Sequence, residues 1–140
     1  MAEYAKPLPY PDADTKPYWE WAKRRELRMQ RCADCHEVRF PPRPMCPACN
    51  SQRDEWVPKS GTGTIYSWVV IHPPVLPAFA DEAPYAVVLV QLDDDPTLRL
   101  VGTVSDVPHA ELAAGLPVEV WFDDVTEEIT LPRWRRKGMA

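Results

Sequence analysis

The stretch that decides the fold reads CADCHEVRFPPRPMCPAC over residues 32–49. It holds all four cysteines of the chain in two C-x2-C pairs, Cys32 with Cys35 and Cys46 with Cys49, and ten residues separate the pairs. Each such pair forms a tight knuckle with converging sulfurs, and two knuckles complete a tetrahedron of thiolates. The spacing therefore predicts one structural metal site in a small ribbon, with zinc as the expected ion.

Two alternatives to zinc follow from the same residues. Iron in a rubredoxin-type site uses the same four thiolates. Disulfides would also use two cysteine pairs, but a reducing cytoplasm favours a metal. Four sulfur ligands leave no position for a substrate or an activated water, so His36 beside Cys35 is interpreted as a solvated knuckle residue.

Composition and charge narrow the class of protein. The 140 residues are 45% hydrophobic, with 17 prolines and only 5 glycines, which indicates short strands joined by stiff connections. Residues 61–140 contain five basic and twelve acidic side chains, whereas residues 1–60 contain eleven and nine. Because an acidic surface repels phosphate backbones, this distribution counts against nucleic-acid binding.

The sequence gives no sign of a membrane segment. No apolar run approaches the roughly 20 residues that a membrane span needs. The N-terminal residues 1–7 lack the apolar core of a signal peptide. We therefore expect a cytoplasmic protein without a membrane partner.

Three segments are predicted along the chain. Residues 1–26 form an extended arm followed by an aromatic helix from about Thr15 to Glu26, with Pro17 in its first turn. Residues 27–60 form the ribbon, whose three short strands cover 27–31, 38–40 and 55–58. Residues 61–140 form a β-domain that ends in a basic tail.

The β-domain is predicted from five apolar or alternating runs. Between the third and fourth runs, residues 108–114 suit one or two helical turns, and a proline-rich loop spans His72 to Pro84. This order fits the OB-fold, a five-stranded, partly open barrel. The predicted strands cover residues 64–71, 85–92, 98–104, 117–122 and 129–134.

The residues offer no constellation typical of an autonomous enzyme. The three histidines are scattered, and every cysteine is assigned to the metal, so no nucleophilic thiol remains. The Gly61–Thr64 segment does not precede a helix and is interpreted as a sharp bend between ribbon and barrel, not as a phosphate cradle. The predicted fold class is therefore mainly β, with no catalytic residue assigned.

The combined motifs resemble a known family over about residues 17–135. They resemble the acyl-CoA-associated OB-fold proteins that carry an N-terminal rubredoxin-like zinc ribbon. The one departure is Arg24-Arg25-Glu26, where the family often has a glycine before the ribbon strand. The segments that carry the resemblance are YWEW at 18–21, LRMQRCADC at 27–35, RFPPRPMCPAC at 39–49, GTGTIYSW at 61–68, PYAVVLV at 84–90, GLPVEV at 115–120 and LPRW at 131–134.

The resemblance implies a non-catalytic partner of a larger enzyme. Members of that family accompany thiolase-like enzymes, namely thiolases, acyltransferases or the retro-aldolases of steroid side-chain breakdown, and some accompany enoyl-CoA hydratases. The chain is accordingly expected to dock on such an enzyme in lipid or steroid metabolism and to help shape its acyl-CoA channel.

Coenzyme A needs cations for its phosphates and a flat surface for its adenine. For most aromatic residues on the barrel strands, packing in the core is the simpler interpretation. Phe79 lies in a loop whose Val75 and Leu76 suggest a partner-facing surface. The residues predicted to bind CoA or a partner are Trp19, Trp21, Arg39, Arg43, Phe79, Arg133, Trp134, Arg135 and Arg136.

Two other functions are considered. A nucleic-acid-binding ribbon and OB module is the alternative from another class, although Arg99 is the one basic residue against twelve acids between Gly61 and Pro132. A free-standing CoA thioesterase or transferase is the third, and it lacks a visible nucleophile or base.

Overall fold

A computed structural model describes residues 4–73 and 75–138. The first three residues of the predicted arm, Pro74 of the predicted loop and the last two residues of the predicted tail lie outside these ranges. The elements are helix α1 (Lys16–Lys23) and strands β1 (Arg28–Cys32), β2 (Val38–Arg39), β3 (Asp54–Pro58), β4 (Thr62–Ile71), β5 (Tyr85–Leu92), β6 (Asp95–Val104), β7 (Pro117–Asp124) and β8 (Thr130–Arg136).

Helix α1 is shorter than predicted because a turn stops it. Thr15 is its N-cap residue and Pro17 lies in its first turn, where a missing N–H costs nothing. At the other end the Glu26 amide donates to the Trp21 carbonyl and the Arg25 amide to the Ala22 carbonyl, the two bonds of a Schellman motif. Arg25 takes the left-handed conformation (φ 67°) that glycine favours at this position. The turn therefore forms with arginine in the place of glycine.

The ribbon is a three-stranded antiparallel sheet in the order β2-β1-β3. Gln30 of β1 lies opposite Arg39 of β2 on one side and Trp56 of β3 on the other. The central strand β1 ends at Cys32, so the first candidate metal ligand lies at the end of this strand. The predicted ribbon strands are confirmed within one or two residues.

The second half closes into a barrel in the order β4-β5-β6-β8-β7. Its strands pair antiparallel, except that Val104 of β6 meets Trp134 of β8 in parallel. A 3₁₀ turn at His109–Glu111 separates the third and fourth barrel strands. This topology confirms the predicted OB-fold.

Two details of the barrel go beyond the predicted strands. Buried and half-buried residues alternate along β5, because one face lies inward and the other outward. Strand β8 continues through Arg136, so Arg135 and Arg136 of the predicted basic tail lie in the last barrel strand.

Ribbon and barrel share one apolar core. Leu27 and Met29 from the ribbon side pack with barrel residues such as Val88 and Trp134. Gly102 leaves room for the Trp134 ring, because a Cβ there would lie 2.6 Å from Trp134 Cδ1. The core thereby fixes the orientation of the ribbon on the barrel.

An ion pair at the protein surface also joins the end of helix α1 to the barrel. The Arg25 guanidinium donates to both carboxylate oxygens of Asp124 at the end of β7, and Thr130 Oγ1 donates to Asp124 at 2.5 Å. The hydrogen bond from Arg25, with that from Thr130, lowers the pKa of Asp124 to about 2. The pair therefore holds the left-handed end of α1 against the barrel.

No helix within the described ranges has the length and apolar character required to cross a membrane.

Asp124→Asn is expected to lower stability at neutral pH and to flatten the acid dependence of unfolding. Because the folded pKa lies below the ordinary value of 3.8, the ion pair stabilises the fold above about pH 4 and this stability is lost as the pH falls toward about 2. Urea unfolding across this range measures the effect. The exposed Glu128→Gln is the control, and equal pH profiles for wild type and Asp124→Asn would contradict the prediction.

Candidate metal centre and partner-contact residues

The two cysteine knuckles have the same backbone design. The amide of the fifth residue donates to the carbonyl of the first cysteine in each, His36 to Cys32 at 3.0 Å and Asn50 to Cys46 at 2.9 Å. His36 and Asn50 both take left-handed backbone conformations, with φ of 66° and 64°. Asparagine and histidine tolerate this region better than most residues. His36 is therefore a turn residue, a role that its match with Asn50 would have revealed in the sequence.

The four sulfurs converge as a tetrahedral metal site requires. All four Sγ atoms lie within 4.8 Å of one another, and the Sγ atoms of Cys32 and Cys49 are 3.6 Å apart, as Cys35 and Cys46 are at 3.5 Å. Four sulfurs bound about 2.3 Å from one ion stand about 3.8 Å apart in a regular tetrahedron. The donor set thus fits a zinc or iron ion, and the predicted grouping of the four cysteines is confirmed.

Backbone amides prepare the sulfurs to bind a cation. The amides of Cys35 and Asp34 both donate to Cys32 Sγ at 3.4 Å. The bond from Cys35 is the main cause that lowers the pKa of Cys32 to about 6, and the Cys49 amide likewise lowers the pKa of Cys46. These two inner cysteines are fully buried, whereas Cys35 and Cys49 are exposed. Since the thiolate is the form that binds metal, the two inner cysteines are the ones prepared for loading. At Cys35 and Cys49, burial and hydrogen bonds with neighbouring cysteine sulfurs outweigh the backbone hydrogen bonds and raise the pKa of the thiol.

Hydrogen bonds between polar side chains, separate from the sulfur cluster, join the two knuckles. Asp34 of the first knuckle accepts a hydrogen bond from Ser51 Oγ, and Arg53 donates to its other carboxylate oxygen at 2.6 Å. The Cys46 amide donates to the Ser51 carbonyl at 2.8 Å. The loop after the second cysteine pair is therefore tied to the first pair even without the ion.

The predicted contact residues on α1 lie on its surface. Trp21 is half-buried, and the guanidinium carbons of Arg24 and Arg28 lie 5.1 and 3.7 Å from its ring centroid. Trp19 packs edge-on against Tyr18 and lines a cavity of about 460 Å³ with Tyr10. Trp21 and its two arginines thus form a cationic aromatic surface, which we call the Trp21 cluster.

Arg39 and Arg43 take structural positions in the ribbon. Arg39 is 3% exposed, and its Nη2 donates to the Arg43 carbonyl at 2.9 Å, while the Arg43 amide donates to Gln30 Oε1 at 2.8 Å. These bonds fix the proline-rich loop between the knuckles. The Arg43 side chain is exposed and available to a ligand, whereas Arg39 is enclosed by its own fold.

Phe79 packs on its own barrel. Its ring stacks on that of Tyr85 with centroids 5.7 Å apart, and Lys6 Nζ lies 5.9 Å from its centroid. Val75 and Leu76 of the same loop remain exposed at 77% and 43%. The apolar surface predicted for this loop therefore rests on these two residues more than on Phe79.

Each predicted basic residue of β8 has an acidic neighbour. Trp134 between them is 2% exposed and belongs to the core, so its burial supports the packing role that the sequence left as an alternative. The arginine ion pairs are Arg133 with Asp123 at 2.7 Å, Arg135 with Glu119 at 3.7 Å and Arg136 with Glu111 at 3.7 Å.

The Arg133–Asp123 pair lines a cavity of about 430 Å³ on the side of the barrel. Trp121 and His109 also contribute to its walls. The structure brings Arg133 to this cavity and leaves Trp21 and Arg43 on other elements, so the predicted contact residues do not form one site. Their roles in binding CoA or a partner remain predictions.

Comparison with known proteins identifies the family from both halves of the chain. Residues 19–55 match the family model described as the ChsH2 rubredoxin-like zinc ribbon domain, and residues 56–123 match that of the ChsH2 C-terminal OB-fold domain. A DUF35 domain-containing scaffold protein of Methanocaldococcus jannaschii is 32% identical over 70% of this chain and 68% of its own length. The chain belongs to the DUF35 family.

One solved structure and one enoyl-CoA hydratase subunit are also similar to this DUF35 protein. The solved structure described as "Ltp2-ChsH2(DUF35) aldolase" superposes with a TM-score of 0.84 and is 39% identical, covering 92% of this chain and 98% of the matched one. The probable enoyl-CoA hydratase alpha subunit of Thermomonospora curvata is also 39% identical, over 93% of this chain. This chain spans only 40% of that hydratase subunit. The family relationship supports an accessory subunit as its general role.

Cys46→Ser is expected to abolish binding of one equivalent of metal and to reduce the yield of soluble protein, because Cys46 is a buried member of the tetrahedron. Inductively coupled plasma mass spectrometry of purified protein measures metal per chain. The neighbouring Met45→Ser is the control, since Met45 is 44% exposed and offers no thiolate. A Cys46→Ser protein that keeps its metal would contradict the assignment.

Proposed function

We propose that this DUF35 protein is the accessory subunit of a thiolase-like acyl-CoA enzyme, on which it docks and whose CoA-thioester channel it helps to form. The observation that carries the proposal is the likeness to the DUF35 chain of the Ltp2-ChsH2 aldolase, at 39% identity over almost the whole of that chain. Thiolase, acyltransferase and steroid side-chain aldolase partners are all consistent with this role, and the aldolase has the direct structural parallel.

The metal is proposed to be structural zinc, with iron as a substitute. The ion would be held by Cys32, Cys35, Cys46 and Cys49, and it would supply rigidity, because the protein fills every position of a tetrahedral ion. The thiols are thereby withdrawn from nucleophilic chemistry. In this proposal the reaction takes place on residues of the partner.

The Trp21 cluster is the part of this chain best suited to coenzyme A. Arg24 is exposed, and both its guanidinium group and that of Arg28 lie close to the indole of Trp21. Guanidinium groups bind phosphates bidentately, and a flat aromatic surface suits adenine. Arg28 pairs with Glu26 at 3.0 Å, and the arginines of β8 face carboxylates of their own barrel, which reduces the attraction of all four for a phosphate and makes Arg24 the main phosphate candidate.

A hydratase partner is the second candidate, because the T. curvata relative bears a hydratase name and matches 93% of this chain. Nucleic-acid binding stays the alternative of another class. It is disfavoured by charge, since Arg99, the basic residue of the barrel strands before β8, lies 3.9 Å over the Tyr66 ring among an excess of acids.

Co-expression with the Ltp2 aldolase of the related complex is expected to give a stable heteromer. Gel filtration with light scattering measures its mass, and retro-aldol cleavage of a steroid side-chain CoA thioester measures its activity. We expect activity from the pair and none from this chain alone. Failure to associate with the aldolase, together with binding to a hydratase subunit or salt-sensitive binding to single-stranded DNA, would contradict the proposal.

Arg24→Glu is expected to raise the KM of that complex for the CoA thioester by roughly fivefold, because it reverses a charge near the phosphates. The KM for the same acyl group on N-acetylcysteamine, which lacks the phosphates, should not change. Lys16→Glu on the same helix is the matched control. An equal effect of Arg24→Glu on both thioesters would remove the Trp21 cluster from the CoA site.

A further inference from the structure

Strand β4 leaves half of one edge unpaired. It pairs with β7 only over Thr62–Thr64, and the last backbone bonds on that side join Ile65 to Gly115 and Leu116. From Ser67 to Ile71 the strand pairs regularly with β5 alone among the described residues. A bulge at Tyr66 separates this segment from the closed part of the barrel. We call Ser67–Ile71 the open edge.

The open edge lacks the features by which proteins usually protect such strands. Native sheets blunt an edge with lysine, proline, a bulge within it or a covering segment. The open edge reads Ser-Trp-Val-Val-Ile, and residues 61–80 contain no charged side chain at all. Trp68 and Val69 are exposed at 38% and 53%. A β-prone, uncharged edge of this kind is a template for another strand.

The surface beside the edge is apolar as well. Val69 lies opposite Val87, and Leu89 lies opposite Val101, which places these side chains on one outer face of β4, β5 and β6. Val101 is 70% exposed, and the face forms a shallow groove of about 180 Å³. The exposed Val75 and Leu76 follow the edge directly in the chain. A strand added at the edge would therefore continue an apolar face.

Charge and area indicate what the edge binds. A second copy of this chain would bring together two halves that each hold twelve acidic and five basic residues, which repel each other. Five residues at about 3.3 Å each give an edge about 17 Å long, so edge pairing buries on the order of 200 Å² per partner, well below the roughly 800 Å² of a stable interface. The occupant must therefore add contacts beyond the edge and bring few acidic groups.

We propose that the open edge of β4 binds an extended strand of the partner enzyme by β-strand addition. This inference rests on the proposed function and names the surface through which docking occurs. The partner segment is expected to be rich in β-branched or aromatic residues, with basic rather than acidic flanks that suit the acidic barrel. Backbone hydrogen bonds to Ser67–Ile71 supply the pairing, and the outer face of β4 to β6 receives alternate side chains.

Val69→Lys and Met45→Lys distinguish the open edge from a distant surface. Both replace an exposed apolar side chain by lysine, but Val69 lies in the edge strand and Met45 in the ribbon, next to the second cysteine pair. With the Ltp2 aldolase as the probe, Val69→Lys is expected to raise Kd roughly tenfold or more, because it puts a charge into an apolar strand interface, and Met45→Lys about twofold or less. Thermal unfolding confirms that both variants fold.

Hydrogen exchange supplies the direct readout. In the free chain, the amides of Ser67–Ile71 that do not bond to β5 should exchange rapidly, and they should become protected in the complex. Wild-type binding without this protection, or equal weakening by both lysine variants, would overturn the strand-addition inference while leaving the proposed function intact.

A wild-type chain that does not bind the aldolase would instead contradict the proposed function. A free chain that is a dimer and becomes monomeric on Val69→Lys would assign the edge to a second copy and overturn the proposed occupant.

Discussion

The convergence of four thiolates is the constraint on which the rest of the structure depends. Each knuckle uses a left-handed residue, His36 or Asn50, to turn the chain, and the sulfurs meet at distances that suit a tetrahedral ion. The ribbon sheet has three strands, one of them two residues long. So small a sheet cannot bury a core of its own, and an ion held by the four cysteines would replace the missing apolar contacts.

The ribbon in turn is oriented on the barrel by packing and by an ion pair. Leu27 and Met29 enter the common core, and Arg25 joins the end of α1 to Asp124. The result is one scaffold with the Trp21 cluster at the helix and an open, uncharged strand edge on the barrel. Such a division of roles suits a subunit whose function lies in the surfaces that it presents to another protein.

Local chemistry made much of this predictable from the sequence. The C-x2-C pairs located the metal site, and apolar periodicity located every strand to within a few residues, because spacing and alternation are properties of neighbours in the chain.

The features that the sequence did not predict depend on contacts between residues that are far apart in the chain. Arg25 holds a left-handed backbone position that usually favours glycine, and its side chain binds Asp124, 99 positions away in the chain. Likewise, Trp134 is buried because Gly102 leaves space for its ring, and the basic residues around it face acids of other elements. The open edge of β4 was equally hidden, since a strand's sequence does not state where its neighbour ends.

Native mass spectrometry of the complex purified from the protein's own cells tests the central claim most directly, because it weighs metal and partner together. We predict one metal ion per copy of this chain and a thiolase-like acyl-CoA enzyme bound to it, with loss of the partner when a chelator removes the metal. A folded, metal-free chain that still binds that enzyme would contradict the account.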